Sequence, residues 1–178
     1  MTEPLWVFGY GSLLWNPGFE FVESQLARLY GYHRSFCMSS IHHRGTEENP
    51  GLVLALDEAE DTYCDGLIFR VAEHERDAVL AYLRERELIS SAYLERFLTV
   101  HTREGQPVNA VCYVVDRAHR QYVQLPITEQ VEIIARARGG RGANTEYLYA
   151  TAEHLVELGI EDAELSSLTR QVRQLTGD

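Results

Sequence analysis

The chain contains no lysine: its 16 basic Lys/Arg positions are all arginine, set against 27 acidic residues. The resulting formal net charge of −11 argues against nucleic acid or an anionic membrane as the main partner. An anionic substrate would meet overall repulsion, so a local positive feature has to hold it. Cysteine is scarce as well. Cys37, Cys64 and Cys112 are odd in number, widely spaced and show no Cys-x-x-Cys pairing. Each has apolar neighbours, which reads as buried free thiols. No His-Glu-x-x-His and no Cys/His cluster occurs, and the adjacent His42 and His43 would face opposite sides of a strand. No metal and no cofactor are therefore expected. No apolar run approaches the roughly 18 residues of a membrane span. Met1-Thr2-Glu3-Pro4 lacks a basic region followed by an apolar core. The expectation is a cytoplasmic protein with no nucleic-acid or membrane partner.

At 178 residues, 45% apolar and 24% charged, the chain is long enough for a real core and reads as a single domain over 1–178. Its first half is mostly strand and loop. Leu5 to Tyr10 and Arg28 to Ser40 read as strands, and His42 to Gly51 as a loop. Leu52 to Leu56 and Cys64 to Val71 read as two further strands separated by an acidic turn, with Gly66 marking a bulge or a close backbone approach. From Glu73 to about Glu87 the period changes, with Leu80, Leu83 and Glu87 at i, i+3, i+7. After a polar break at Ser90-Ser91, Arg96–His101 and Val108–Val115 form a strand pair joined through Arg103-Glu104-Gly105-Gln106. The last third is helical. Thr128 caps a helix running to Arg138, which Gly139-Gly140 ends; Asn144 caps the next, ending near Gly159. Leu165, Leu168, Val172 and Leu175 set the buried stripe of the last helix. Strands first, with helices inserted and appended, indicate an α+β fold.

Two features carry the chemistry. Val7-Phe8-Gly9-Tyr10-Gly11-Ser12 is an apolar strand running into a Gly-Tyr-Gly-Ser turn. Glycines there let the backbone approach a ligand, and successive amide N–H groups can converge on an anion. The same glycines could equally serve only a tight turn. Gly9-x-Gly11 lacks the third glycine of a dinucleotide fingerprint, no Gly-Lys-Ser/Thr follows, and no Gly-x-Ser-x-Gly elbow surrounds Ser12.

Glu87 is the second feature. At 100° per residue it projects between Leu80 and Leu83, within the apolar stripe, whereas Glu85 projects toward solvent. Burial would raise such a carboxyl from about 4.3 toward neutrality, where a proton shuttle works best. The alternative is a frayed helix end at which Glu87 pairs with Arg86 or Arg96. Arg138 to Asn144, with three glycines and two arginines, is either a loop closing over a ligand or a helix stop and cap. Tyr147 is either core or a hydroxyl aimed at a site.

Together these residues resemble the ChaC-like branch of the γ-glutamylcyclotransferase family, in a form nearest its bacterial members. The resemblance runs from Val7-Phe8-Gly9-Tyr10-Gly11-Ser12-Leu13-Leu14-Trp15-Asn16-Pro17 through Gly31-Tyr32-His33-Arg34-Ser35-Phe36, Arg44-Gly45-Thr46 and Asn49-Pro50-Gly51. It continues in Leu54-Ala55-Leu56, Cys64-Asp65-Gly66-Leu67-Ile68-Phe69-Arg70-Val71, Tyr82-Leu83-Arg84-Glu85-Arg86-Glu87, and Gly140-Arg141-Gly142-Ala143-Asn144 with Tyr147-Leu148. After Glu87 the chain reads Leu88-Ile89-Ser90-Ser91-Ala92-Tyr93, without the Gly-Gly-Tyr of eukaryotic members.

The resemblance implies a small mixed β-barrel flanked by helices, with the site at one barrel mouth. It implies cyclisation of a γ-glutamyl group: the glutamyl α-amine attacks its own γ-carbonyl. Glutathione would yield 5-oxoproline and Cys-Gly. Glu87 would be general base and then acid, the backbone from Val7 to Ser12 would wrap the γ-glutamyl group, and Tyr147 would help orient it. Arg34 and Arg44 are candidates for the substrate α-carboxylate. Two rivals stay open: a cyclotransferase acting on γ-glutamyl amino acids or amines, and a non-catalytic regulatory module associated with cation transport.

Overall fold

A computed structural model describes residues 3–88 and 92–178. Met1-Thr2 of the N-terminal tetrapeptide and the break at Ser90-Ser91 lie outside the described residues. The chain divides into two compact units, Met1–Ser35 with Ala55–His119 and Phe36–Leu54 with Arg120–Asp178.

The first unit holds β1 (Leu5–Gly9), α1 (Ser12–Trp15), most of β2 (Glu23–Ser40) and β3 (Gly51–Val71), α2 (Arg76–Glu87), β4 (Tyr93–Thr102) and β5 (Pro107–Val115). The five strands close into a barrel in the order β1-β3-β2-β4-β5. The barrel is mixed, as expected. β1 runs antiparallel to β3 from Leu5↔Val71 to Gly9↔Leu67, and β4 antiparallel to β5 from Tyr93↔Val115 to His101↔Pro107. β5 is parallel to both β1, at Val7↔Val111, and β3, at Leu56↔Val114. That position explains why Ala110 to Val115 is an unbroken buried apolar run rather than an alternating one.

β3 departs from expectation, because the acidic stretch after Leu56 does not divide it. Its residues from Glu58 to Tyr63 are exposed or half-buried, so their charges need no loop to reach water. Asp61 adopts φ 60°, a left-handed conformation that aspartate tolerates, and the Thr62 hydroxyl donates to Ala59 O at 2.7 Å. In α2, Val79, Leu80 and Leu83 form the buried stripe and Glu85 is exposed, as the helical period requires.

The second unit holds α3 (Ile127–Arg136), the short pair β6 (Arg138–Gly139) and β7 (Gly142–Ala143), α4 (Asn144–Glu157) and α5 (Ala163–Thr176). Pro126, not Thr128, stands at the N-cap of α3; its ring holds φ at −61°, which suits helix entry. Gly139 pairs with Gly142 across a two-stranded ribbon, so the expected loop is an ordered hairpin. Asn144 is the first residue of α4 and caps nothing; its amide is engaged elsewhere. In α5, Leu165, Leu168 and Val172 are buried, but Leu175 is 58% exposed, because the stripe ends a turn before the helix does. Among the described residues no helix is long and apolar enough to cross a membrane. Cys37, Cys64 and Cys112 are buried free thiols, and burial pushes the Cys112 thiol far above its ordinary value.

Candidate active site

The Gly-Tyr-Gly-Ser turn is built where β1 ends. Val7 and Phe8 are fully buried and their side chains belong to the core, so only their backbone can serve a ligand. Gly66 on the neighbouring β3 presses its Cα against the carbonyl of Gly9; a methyl group there would collide with that oxygen and stand 3.0 Å from the Phe8 ring. Gly66 is the expected close backbone approach. Tyr10 is buried, and its hydroxyl donates to Tyr113 O at 3.1 Å. The Tyr10 carbonyl accepts from Arg34 Nε at 2.7 Å, and the Asp65 carbonyl accepts from Arg34 Nη2. Arg34 is only 6% exposed and turns these donors onto backbone rather than into solution. Asp65 is itself anchored, since its carboxylate takes Arg28 Nε at 2.7 Å and Nη2 at 3.0 Å. Beyond Gly11, α1 opens with the Leu14 N–H donating to Gly11 O at 2.9 Å and with no side-chain cap.

Glu87 is the last residue of α2. Its side chain is 16% exposed, continuing the stripe of Leu80 and Leu83, and Arg86 Nε lies 3.4 Å from its Oε1. The pairing with Arg86 considered from the sequence is therefore present; Arg96 instead donates to Glu95 O. Yet Arg86 does more than neutralise a neighbour. Its Nη2 donates to Ser12 Oγ at 3.0 Å, and its Nη1 donates to Asn16 O at 2.6 Å, Pro17 O at 3.0 Å and Tyr82 Oη at 3.1 Å. One guanidinium thus spans the end of α2 and the segment following the glycine turn. Tyr82 lies over Gly18, whose φ of 75° and lack of Cβ leave room for the hydroxyl. The sequence offers Arg86 only as a partner for Glu87; its contacts to Ser12, Asn16, Pro17 and Tyr82 were not expected, and the i, i+4 spacing of Tyr82 and Arg86 on one helix face was the available signal.

Next to this group lies a buried phenol. Tyr113 is 1% exposed, its hydroxyl donates to Glu95 Oε2 at 3.4 Å, and burial with the negative charges of Glu95 and Glu87 pushes its ionisation far above the ordinary value. It stays protonated at neutral pH and serves as a donor. Glu95 is held below the usual carboxylate range, chiefly by hydrogen bonds from Arg84 at 2.9 and 3.0 Å.

The remaining candidates belong to the second unit. Tyr147 is buried; its hydroxyl accepts from Leu54 N–H at 3.1 Å, and its ring meets Phe36 edge-on at 6.0 Å. Asn144 is fully buried and clamps Leu52, accepting from its N–H and donating to its carbonyl, each at 2.8 Å. Arg44 donates to Ala143 O at 3.1 Å and lies 3.7 Å from Glu146. Gly140 and Arg141 donate their N–H groups to His42 and His43 carbonyls at 2.7 and 2.9 Å. The segment from Arg138 to Asn144, read from the sequence as either a closing loop or a helix stop and cap, is tied down to residues 42–45.

The chain matches the sequence profile of the ChaC-like protein family over residues 5–175. It is 36% identical over 176 residues to a glutathione-specific γ-glutamylcyclotransferase of Escherichia coli K12, covering 98% of this chain and 75% of that one. It is 33% identical over 190 residues to the enzyme of that description from Schizosaccharomyces pombe, covering 96% and 93%. The fold matches the crystal structure of a yeast γ-glutamyl cyclotransferase specific to glutathione with a TM-score of 0.87, at 23% identity over 97% of each chain.

Proposed function

The chain belongs to the ChaC-like family of γ-glutamylcyclotransferase enzymes, and we propose that it cyclises the γ-glutamyl group of glutathione, with Glu87 as the proton shuttle. The observation carrying this reading is the double contact of Arg86, 3.0 Å from Ser12 Oγ and 3.4 Å from Glu87 Oε1. It keeps the carboxylate and the glycine turn within the span of one small substrate. A carboxylate on the last residue of a helix opposes the helix dipole by about 0.3–1 kcal/mol, so the end of α2 is not where helix electrostatics alone would favour Glu87. Its semi-buried place in the apolar stripe supports a chemical role.

The substrate carries both reaction partners, so binding need only fold it toward ring closure, where effective molarities of about 10⁵ M or more are available. The α-ammonium has a pKa of roughly 8, close enough for one carboxylate to take its proton. As the amine attacks the γ-carbonyl, charge builds on that oxygen, and the backbone N–H groups between Val7 and Ser12 stabilise it. Glu87 then returns the proton to the departing nitrogen of Cys-Gly, and 5-oxoproline is left. The net change is one C–N bond made and one broken.

Release of 5-oxoproline from glutathione, measured for the wild type, Glu87→Gln and Glu85→Gln, tests the proposal. Glu87→Gln should lose about 10²–10⁴-fold in kcat while folding normally, and the exposed Glu85→Gln should be silent. Near-normal turnover by Glu87→Gln would sink the role of Glu87. Turnover of γ-glutamyl amino acids or amines but not of glutathione would overturn the substrate assignment and keep the reaction.

A further inference from the structure

Arg34 makes contacts that a substrate-carboxylate ligand has no reason to make. It is 6% exposed, with Nε on the Tyr10 carbonyl at 2.7 Å and Nη2 on the Asp65 carbonyl. The Tyr10–Gly11 peptide is trans, so its C=O and N–H point in opposite directions across one planar unit. With the carbonyl drawn onto the guanidinium, the Gly11 N–H is turned to the other side. A charged donor on the carbonyl also polarises the peptide and makes its N–H a stronger donor.

Resting on the reading of Val7 to Ser12 as the backbone that wraps the γ-glutamyl group, we infer that Arg34 is a positioning residue. It sets the Tyr10–Gly11 peptide plane so that the Gly11 N–H meets the γ-carbonyl oxygen as negative charge develops there. The surroundings suit that task. Gly9 O is pressed against Gly66, and the Tyr10 hydroxyl is anchored on Tyr113 O at 3.1 Å, so the residues before the peptide are held in place. Asp65, which supplies the second carbonyl for Arg34, is itself tied by Arg28. A donor already aimed costs no reorganisation in the transition state.

Kinetics with glutathione for the wild type, Arg34→Lys and Arg34→Gln, together with amide spectra of ¹⁵N-glycine-labelled protein with and without 5-oxoproline, test the inference. Arg34→Gln should lower kcat about 10²-fold with KM changed less than about threefold, because the aimed donor acts mainly in the transition state. Arg34→Lys keeps the charge and one donor and should be intermediate. The Gly11 amide should shift on adding 5-oxoproline to the wild type, and shift less in Arg34→Gln. Asp57→Asn, which breaks the ion pair with Arg117 at 2.7 Å in the same unit, is the stability control and should leave kcat unchanged.

Unchanged kcat in Arg34→Gln with a normal Gly11 shift would overturn the role of Arg34 and leave the reading of the turn standing. No Gly11 shift in the wild type would overturn that reading and the inference with it. An equal kcat loss in Asp57→Asn would mark the effect as general loosening, which also overturns the inference. If Arg34→Gln does not fold, Arg34→Lys decides by the same two readouts.

Discussion

Arg86 Nη2 donates to Ser12 Oγ at 3.0 Å, joining the last turn of α2 to the serine of the Gly-Tyr-Gly-Ser turn across 74 positions of sequence. The same guanidinium reaches two backbone carbonyls, a tyrosine hydroxyl and the Glu87 carboxylate. A planar fork of five donors can do this; an ammonium cannot.

Arg86→Met should therefore lower kcat by about 10²-fold, the order expected when catalytic groups lose registration by an ångström. Arg86→Lys should recover only part of it. The check is kcat and KM for both variants beside their thermal midpoints. A Met variant with wild-type kcat would show that Ser12 and Glu87 hold position without the arginine.

Gly66 presses on Gly9 O, so Gly66→Ala forces β1 and β3 apart where the turn begins. Overpacking of this kind costs about 1–3 kcal/mol. We expect a lower thermal midpoint together with lost activity. Gly105→Ala is not a matched control, since its φ of 82° brings a different strain. A Gly66→Ala protein of normal stability and turnover would contradict the packing.

Asn144 acts as an extra peptide for Leu52, giving and taking one hydrogen bond in a fully buried place. Asn144→Ala leaves an N–H and a carbonyl without that partner, at about 1–3 kcal/mol each. Asn144→Asp keeps the acceptor but sets a carboxylate against the Leu52 carbonyl, and should be no better. Chemical denaturation of the three proteins measures this directly; an Ala variant within about 0.5 kcal/mol of wild type would rule the clamp out as a stabilising feature.

Glu95 is held below its ordinary value by Arg84 hydrogen bonds, with Tyr113 adding to them and burial opposing. The unfolded chain thus binds more protons than the folded one just below pH 4.5, and stability rises with pH through that window. The contribution is complete above the unfolded value and is lost as pH falls through the depressed folded value. Thermal midpoints followed down to about pH 3 should fall less steeply for Glu95→Gln than for wild type. Parallel curves would remove Glu95 from the acid sensitivity.

The apolar stripe of α2 and the placement of Glu87 were legible because both depend on the helical period of 3.6, and the strand-to-glycine turn because a short apolar run ends at its glycines. The hairpin of β4 and β5 was legible from the two strand-like stretches that flank Arg103-Glu104-Gly105-Gln106. The acidic middle of β3 was misread, since polarity signals exposure to water and exposure does not require a loop. Neither Asn144 nor Thr128 is a cap: a side chain that can satisfy local N–H groups can also satisfy a strand 92 residues away, and Thr128 stands exposed inside α3, past the Pro126 N-cap.

By itself, then, the sequence determined the family, the α+β class and the carboxylate that falls on a buried helix face. The tertiary structure alone decided what the arginines do. Arg34 and Arg86 find their acceptors 24 and 74 residues away, on carbonyls and a hydroxyl. A backbone carbonyl carries no mark in the amino-acid code, so no spacing rule announces its partner. Only closure of the barrel brings Tyr10, Arg34 and Asp65 together, and only the docked end of α2 sets Arg86 against Ser12.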